Sequence, residues 1–115
     1  MPDPRELLLA ERALTLDRIR LLEREFADVA EAASADGTDD EHDPEGATLA
    51  FERQHTAALL DQARAQLIAV DDALGRLDDG SYGSCQRCGR AIGTDRLAAR
   101  PTATTCITCA SATRR

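Results

Sequence analysis

Cys85-Gln86-Arg87-Cys88 and, seventeen residues further on, Cys106-Ile107-Thr108-Cys109 hold all four cysteines of this 115-residue chain. Two CxxC pairs at that separation have the ligand count and spacing of a structural tetrahedral zinc site, because a two-residue gap lets each pair chelate one ion. One structural Zn2+ on Cys85, Cys88, Cys106 and Cys109 is therefore expected, with no position left open for a catalytic water. A redox dithiol or two disulfides would compete with this reading; structural disulfides fit a reducing compartment poorly, and zinc-capped thiols are poor redox nucleophiles. Gly89, directly behind the first pair, is what a tight knuckle with positive φ requires. The surrounding module has Ile92, Leu97 and Ile107 as its main apolar content, too little to fold alone, so metal binding and folding are expected to be coupled.

Upstream of the cysteines the chain reads as two long helices. The first runs from about Pro4 to Ser34, with Ile19, Leu22, Phe26, Val29 and Ala33 spaced 3, 4, 3, 4 as a narrow heptad seam. Toward its start the seam drifts onto Leu8, Leu9 and Leu16. In the second helix Leu49, Thr56, Ala63, Val70 and Leu77 alternate with Arg53, Leu60, Leu67 and Leu74. Its start is marked by Asp43 as N-cap, Pro44 at the first helical position and Glu45 in the first turn, all favourable at the positive end of the helix dipole. Asp78-Asp79-Gly80 marks its end, and Gly75 inside the pattern suggests a bend. Joined by a short polar loop around Asp36 to His42, these helices predict a self-folding antiparallel hairpin roughly 45–50 Å long at 1.5 Å per residue, rather than a dimerising coiled coil.

The fold class expected is thus mainly α. A long antiparallel coiled-coil hairpin over residues 1–79, with an acidic tip loop at about 36–45, is followed by a four-cysteine zinc-finger module over 80–115 with a short C-terminal helix. Composition agrees, since 21 of the apolar residues are Ala and only Phe26, Phe51 and Tyr82 are aromatic. A compact globule would have to be filled largely with methyl groups.

The net charge of −7, with Arg as the only basic residue besides two His, excludes broad electrostatic capture of nucleic acid or an anionic bilayer. Charge is also segregated, at −6 over residues 36–45 and +5 over 80–115. Four thiolates and one zinc would carry a formal −2 and lower that basic patch to about +3. Leu7 to Leu9 is the longest large-apolar run near the N-terminus, flanked by Arg5, Glu6, Glu11 and Arg12, so no targeting signal or membrane span is read and a cytoplasmic location is expected. No nucleophile–base–orienter set and no phosphate-cradling glycine loop is present, so no enzymatic activity is expected. His42 and His55 lack partners at ligand spacing and are read as a loop residue and a solvent-facing helical residue.

The run Gly80-Ser81-Tyr82-Gly83-Ser84-Cys85-Gln86-Arg87-Cys88-Gly89, continued by Ile92-Gly93, by Arg96-Leu97-Ala98-Ala99-Arg100-Pro101-Thr102-Ala103 and by the second cysteine pair, closely resembles the DksA/TraR zinc-finger family. The acidic-tipped hairpin resembles that family's coiled coil, and the globular N-terminal segment of longer members has no counterpart. The resemblance implies a transcription regulator that binds bacterial RNA polymerase by inserting the coiled coil into the secondary channel, without sequence-specific DNA contacts and without a membrane. It places Asp39, Asp40, Asp43, Glu45 and Ala47 at the polymerase-facing tip, and Arg87, Arg90, Arg96 and Arg100 at a basic base that could hold the channel rim. An acidic tip suits a channel ending at a catalytic Mg2+.

The family's strongly acting tips read DxxDxA, whereas Asp43-Pro44-Glu45-Gly46-Ala47 keeps the first Asp and has Gly46 where the second would stand; an alternative frame, Asp40-Glu41-His42-Asp43, restores the Asp pair but places Glu45 at the Ala position. Of the basic positions that bind the alarmone ppGpp in family members, Arg100 is matched, while Ala110 follows Cys109 and the helix near Ala69 lacks a base. The resemblance therefore implies a weak or absent ppGpp response. The alternative reading is a zinc-finger nucleic-acid-binding or protein-interaction module without polymerase activity, disfavoured by the overall charge and by the shortage of stacking aromatics beyond Tyr82.

Overall fold

The computed structural model of the protein describes residues 3–35 and 44–113, with no β-strand among them. Two long helices, α1 (Pro4–Ala35) and α2 (Pro44–Asp79), precede two short ones, α3 (Thr94–Ala99) and α4 (Ile107–Thr113). The mainly α architecture and the short C-terminal helix are as expected, whereas α3 was not anticipated: its six residues, TDRLAA, carry no helical period long enough to read. The loop around Asp36 to His42, the tip acids Asp39 and Asp40 and the N-cap residue Asp43 lie outside the described residues.

Local signals account for the helix ends. Asp3 caps α1, its carboxylate accepting from the Arg5 amide at 3.1 Å and its carbonyl from the Leu7 amide at 3.1 Å. At the end of α2, Gly80 takes φ 83°, and the Ser81 amide donates back to the Arg76 carbonyl at 3.0 Å, the Schellman closure. The Asp79 carboxylate also accepts from the Ser81 amide and hydroxyl. Those two bonds, the hydroxyl first, hold the Asp79 carboxyl below its usual range. Helix α2 continues through Gly75 to Asp79 without interruption.

The chain forms two compact units, one comprising Met1–Ala13 with Leu67–Arg115 and the other Leu14–Gln66. In the first, Leu8 and Val70 are completely buried together with Ala73, and Leu74, Leu77 and Tyr82 pack against them. Each fully buried aliphatic side chain contributes on the order of 1.5–3 kcal/mol. Two ion pairs, Arg5–Asp78 at 2.8 Å and Arg12–Asp71 at 2.7 Å, advance along one helix as they retreat along the other, so α1 and α2 run antiparallel here. Their side chains are largely exposed, and each pair is worth at most about 1 kcal/mol.

In the second unit Thr15, Ile19 and Leu22 of α1 and Thr56, Leu60 and Ala63 of α2 are buried. Arg64 and Glu23 approach to 3.4 Å at its surface. Leu8, Thr15 and Leu22 stand seven apart, so the α1 seam keeps its register back to the start of the helix instead of drifting. Leu9 is 51% exposed and Leu16 is only partly buried. The difference has a simple cause: a Thr at a core position is invisible to a count of apolar residues, yet its methyl group packs while its hydroxyl can bond within the helix.

Candidate metal centre

The first cysteine pair sits on a tight knuckle. The Cys85 amide donates to the Arg90 carbonyl at 2.7 Å and the Gly89 amide to the Cys85 carbonyl at 2.9 Å, with Ser84 and Ala91 forming an isolated antiparallel bridge. Gly89 has φ 77° as expected, a conformation that L side chains rarely adopt. The second pair is carried by the start of α4, where the Ala110 amide donates to the Cys106 carbonyl at 2.9 Å. The Gln86 amide donates to the Thr104 carbonyl at 2.8 Å, joining the two halves beside the sulfurs.

These elements bring the four Sγ atoms within 4.8 Å of one another. Cys88 Sγ and Cys106 Sγ are 3.8 Å apart, against about 2.05 Å for a disulfide, and none of the four cysteines is in a disulfide. Zn–S bonds of about 2.3 Å at tetrahedral angles put the sulfurs about 3.8 Å apart, so the donor set fits one zinc ion in size and chemistry.

Backbone amides prepare the site for it. The amides of Cys88 and Cys106 hold the Cys85 thiol down to about 6, and the amide of Cys109 lowers Cys106. Cys109 is pushed up to about 12, first by its hydrogen bond with Cys106. Cys109 thus keeps its proton as a donor to the neighbouring sulfurs, with its burial acting in the same direction.

Three side chains hold the module in shape. Tyr82 Oη donates to the Pro101 carbonyl at 2.8 Å while its ring packs on the Leu8–Val70–Ala73 core, and burial raises its pKa. Arg96 is half-buried and its Nε donates to the Thr105 carbonyl at 2.8 Å, directly before Cys106. Ile92 is buried. Ile107, by contrast, is 63% exposed, so it is not part of the module's core: as the first residue of α4 it faces solvent.

Tyr82 is thus a structural pin rather than a stacking surface, which sequence reasoning missed. The signal available was its place as the sole tyrosine, three residues before the first cysteine. Arg87, Arg90 and Arg100 are exposed, as is Ala47 near the start of α2. Glu45 lies in the first turn of α2.

A mainly helical chain with two long paired helices and a C4 cysteine cluster defines a helical protein bearing a zinc-finger motif. A family model described as the prokaryotic dksA/traR C4-type zinc finger matches residues 80–115. Among solved structures, transcription factor DksA2 from Pseudomonas aeruginosa superposes with a TM-score of 0.80 at 33% identity, covering 96% of this chain and 80% of that one. The RNA polymerase-binding transcription factor DksA of Caulobacter vibrioides (strain NA1000 / CB15N) is 34% identical over 100 residues, 87% of this chain. The protein of that name in Escherichia coli (strain K12) is 41% identical over 49 residues, covering 43% of this chain and 32% of its own length. The chain belongs to the DksA/TraR family, and it spans 61% of the length of the Caulobacter relative.

Proposed function

We propose that this protein binds bacterial RNA polymerase and regulates transcription, with its paired helices entering the secondary channel. In this reading residues 1–79 act as the inserted hairpin and residues 80–115 as a zinc-bearing base. The segment 36–45, with Asp39, Asp40, Asp43 and Glu45, and Ala47 beyond it, is directed at the active site. Cys85, Cys88, Cys106 and Cys109 hold one structural Zn2+, which supplies cross-linking of the two knuckles and no chemistry. Arg87, Arg90 and Arg100, with the remaining donors of Arg96, meet acidic groups at the channel rim. Ala110 after the last cysteine and the lack of a base near Ala69 go with a weak or absent ppGpp response.

One observation carries the reading: the likeness to transcription factor DksA2 extends over 96% of this chain, so it embraces the paired helices as well as the cysteine module. The named activity of the Caulobacter relative points the same way. No helix among the described residues is long and apolar enough to cross a membrane.

The test is a pull-down of purified core RNA polymerase by the zinc-loaded protein, competed by a known secondary-channel factor. Binding abolished by the competitor is expected. Absence of binding, or binding indifferent to the competitor, would sink the proposal.

A further inference from the structure

The Leu14–Gln66 unit carries a surface feature that neither the metal centre nor the tip explains. A groove of about 300 Å3 lies between α1 and α2, lined by Glu25, Asp28 and Val29 on one side and Glu52, His55 and Thr56 on the other. Its volume is at the lower end of ligand-sized clefts. Beside it stands Phe51, 71% exposed and one of only two phenylalanines in the chain. Its ring lies parallel to that of His55, within 4° and with centroids 6.5 Å apart. A Phe this exposed gains little from folding and is the kind of side chain that interfaces use.

The chemistry of the groove selects its occupant. Among the described residues Glu25, Asp28 and Glu52 take part in no ion pair, although Arg64 and Arg20 elsewhere in the unit are paired. The carboxylates and His55 are also spread too widely to converge on one ion, since among the described residues only the four cysteines gather ligand atoms closely enough. A bare metal cation is therefore a poor fit, and a large flat cation is a good one. A guanidinium can bridge separated carboxylates with its fork of donors and lay its face against an aromatic ring, while its aliphatic stem rests on an apolar wall such as Val29.

Resting on the polymerase reading above, we infer that the Glu25–Asp28–Glu52 groove with the adjoining Phe51–His55 pair is a docking site for an arginine side chain presented by a segment of the polymerase. Docking there fixes how far the helices enter and adds affinity independent of the acidic segment 36–45. All the charged residues involved, and Phe51, are exposed, so replacing them leaves the core untouched.

Two measurements on the full zinc-loaded chain test the inference. The first compares core polymerase affinity of the parent with Glu25→Gln/Asp28→Asn/Glu52→Gln and with Phe51→Ala, thermal unfolding serving as the control for folding. The triple variant should bind about tenfold more weakly with a shallower dependence on salt, and Phe51→Ala severalfold more weakly. Variants that bind like the parent overturn the inference while leaving the polymerase reading intact, whereas a parent that does not bind removes both. The second places a photoreactive p-benzoylphenylalanine at position 51 and maps the polymerase segment it captures. A captured segment containing arginine supports the inference. Capture of a segment without a basic residue, or of a second copy of this chain, overturns it.

Discussion

Gly75 occupies an exposed helical position in α2 where an added Cβ would meet nothing within 4 Å. Its backbone is helical, so the glycine costs conformational entropy with no compensating contact. Gly75→Ala is therefore expected to stabilise the protein by about 1 kcal/mol, read as a rise in the urea midpoint. Asp79 offers a titration test. Its carboxyl is held low by the Ser81 hydroxyl and amide. A carboxyl whose pKa is lower folded than unfolded contributes stability above the unfolded value, near 3.8, and loses it as the pH falls through the folded value. Asp79→Asn should be less stable than the parent near neutral pH and equal to it in strong acid. A difference that persists unchanged in strong acid would assign the loss to something other than this charge.

At the scale of the helices, the heptad seams were legible because α-helical geometry returns a side chain to the same face every seven residues. Thr56, Ala63 and Val70 of the α2 register are buried as that spacing requires, as are Ile19 and Leu22 of α1. The first turns of α1 were not legible, since three consecutive leucines offer three possible faces and the buried Thr15 offers no hydrophobic cue. Leu8 and Leu9 make that distinction measurable. Leu8→Ala empties a site with no exposed surface and should cost about 2–5 kcal/mol, whereas Leu9→Ala should stay within about 0.5 kcal/mol. Equal losses in chemical denaturation would mean that α1 packs in a different register.

For the molecule as a whole, the coupling between metal and fold runs through Tyr82. The ring belongs to the Leu8–Val70–Ala73 core and its hydroxyl to the segment leading to the second cysteine pair. Removing zinc from the loaded protein with a chelator should abolish the near-UV signal of this sole tyrosine while leaving most far-UV helicity. Six buried positions in the Leu14–Gln66 unit belong to α1 and α2 alone. Collapse of the helical signal along with the tyrosine signal would instead make the paired helices dependent on the metal. Segregated charge has its own consequence, because +5 over residues 80–115 sits in a chain of net −7. In the proposed polymerase-binding role, Arg87, Arg90 and Arg100 should steer association in a salt-dependent way, and substituting them should slow binding more than it speeds release.

Much of this protein is written in short-range spacing. Two residues between cysteines suffice to chelate, a glycine behind them suffices to turn, and 3–4 alternation suffices to mark a helix face, so the C4 cluster, Gly89 and both long helices follow from local geometry alone. Which of several neighbouring apolar residues is buried depends instead on the surface supplied by a partner distant in the chain. Folding therefore assigned Thr15 to the core and Leu9 to solvent, exposed Ile107, wound the six residues of α3, anchored Tyr82 on Pro101 and Arg96 on Thr105, and set Glu52 and His55 of α2 beside Glu25 and Asp28 of α1. These outcomes rest on contacts between residues 9 to 73 positions apart, and the energy of such a contact resides in the complementarity of two surfaces, which neither segment carries by itself.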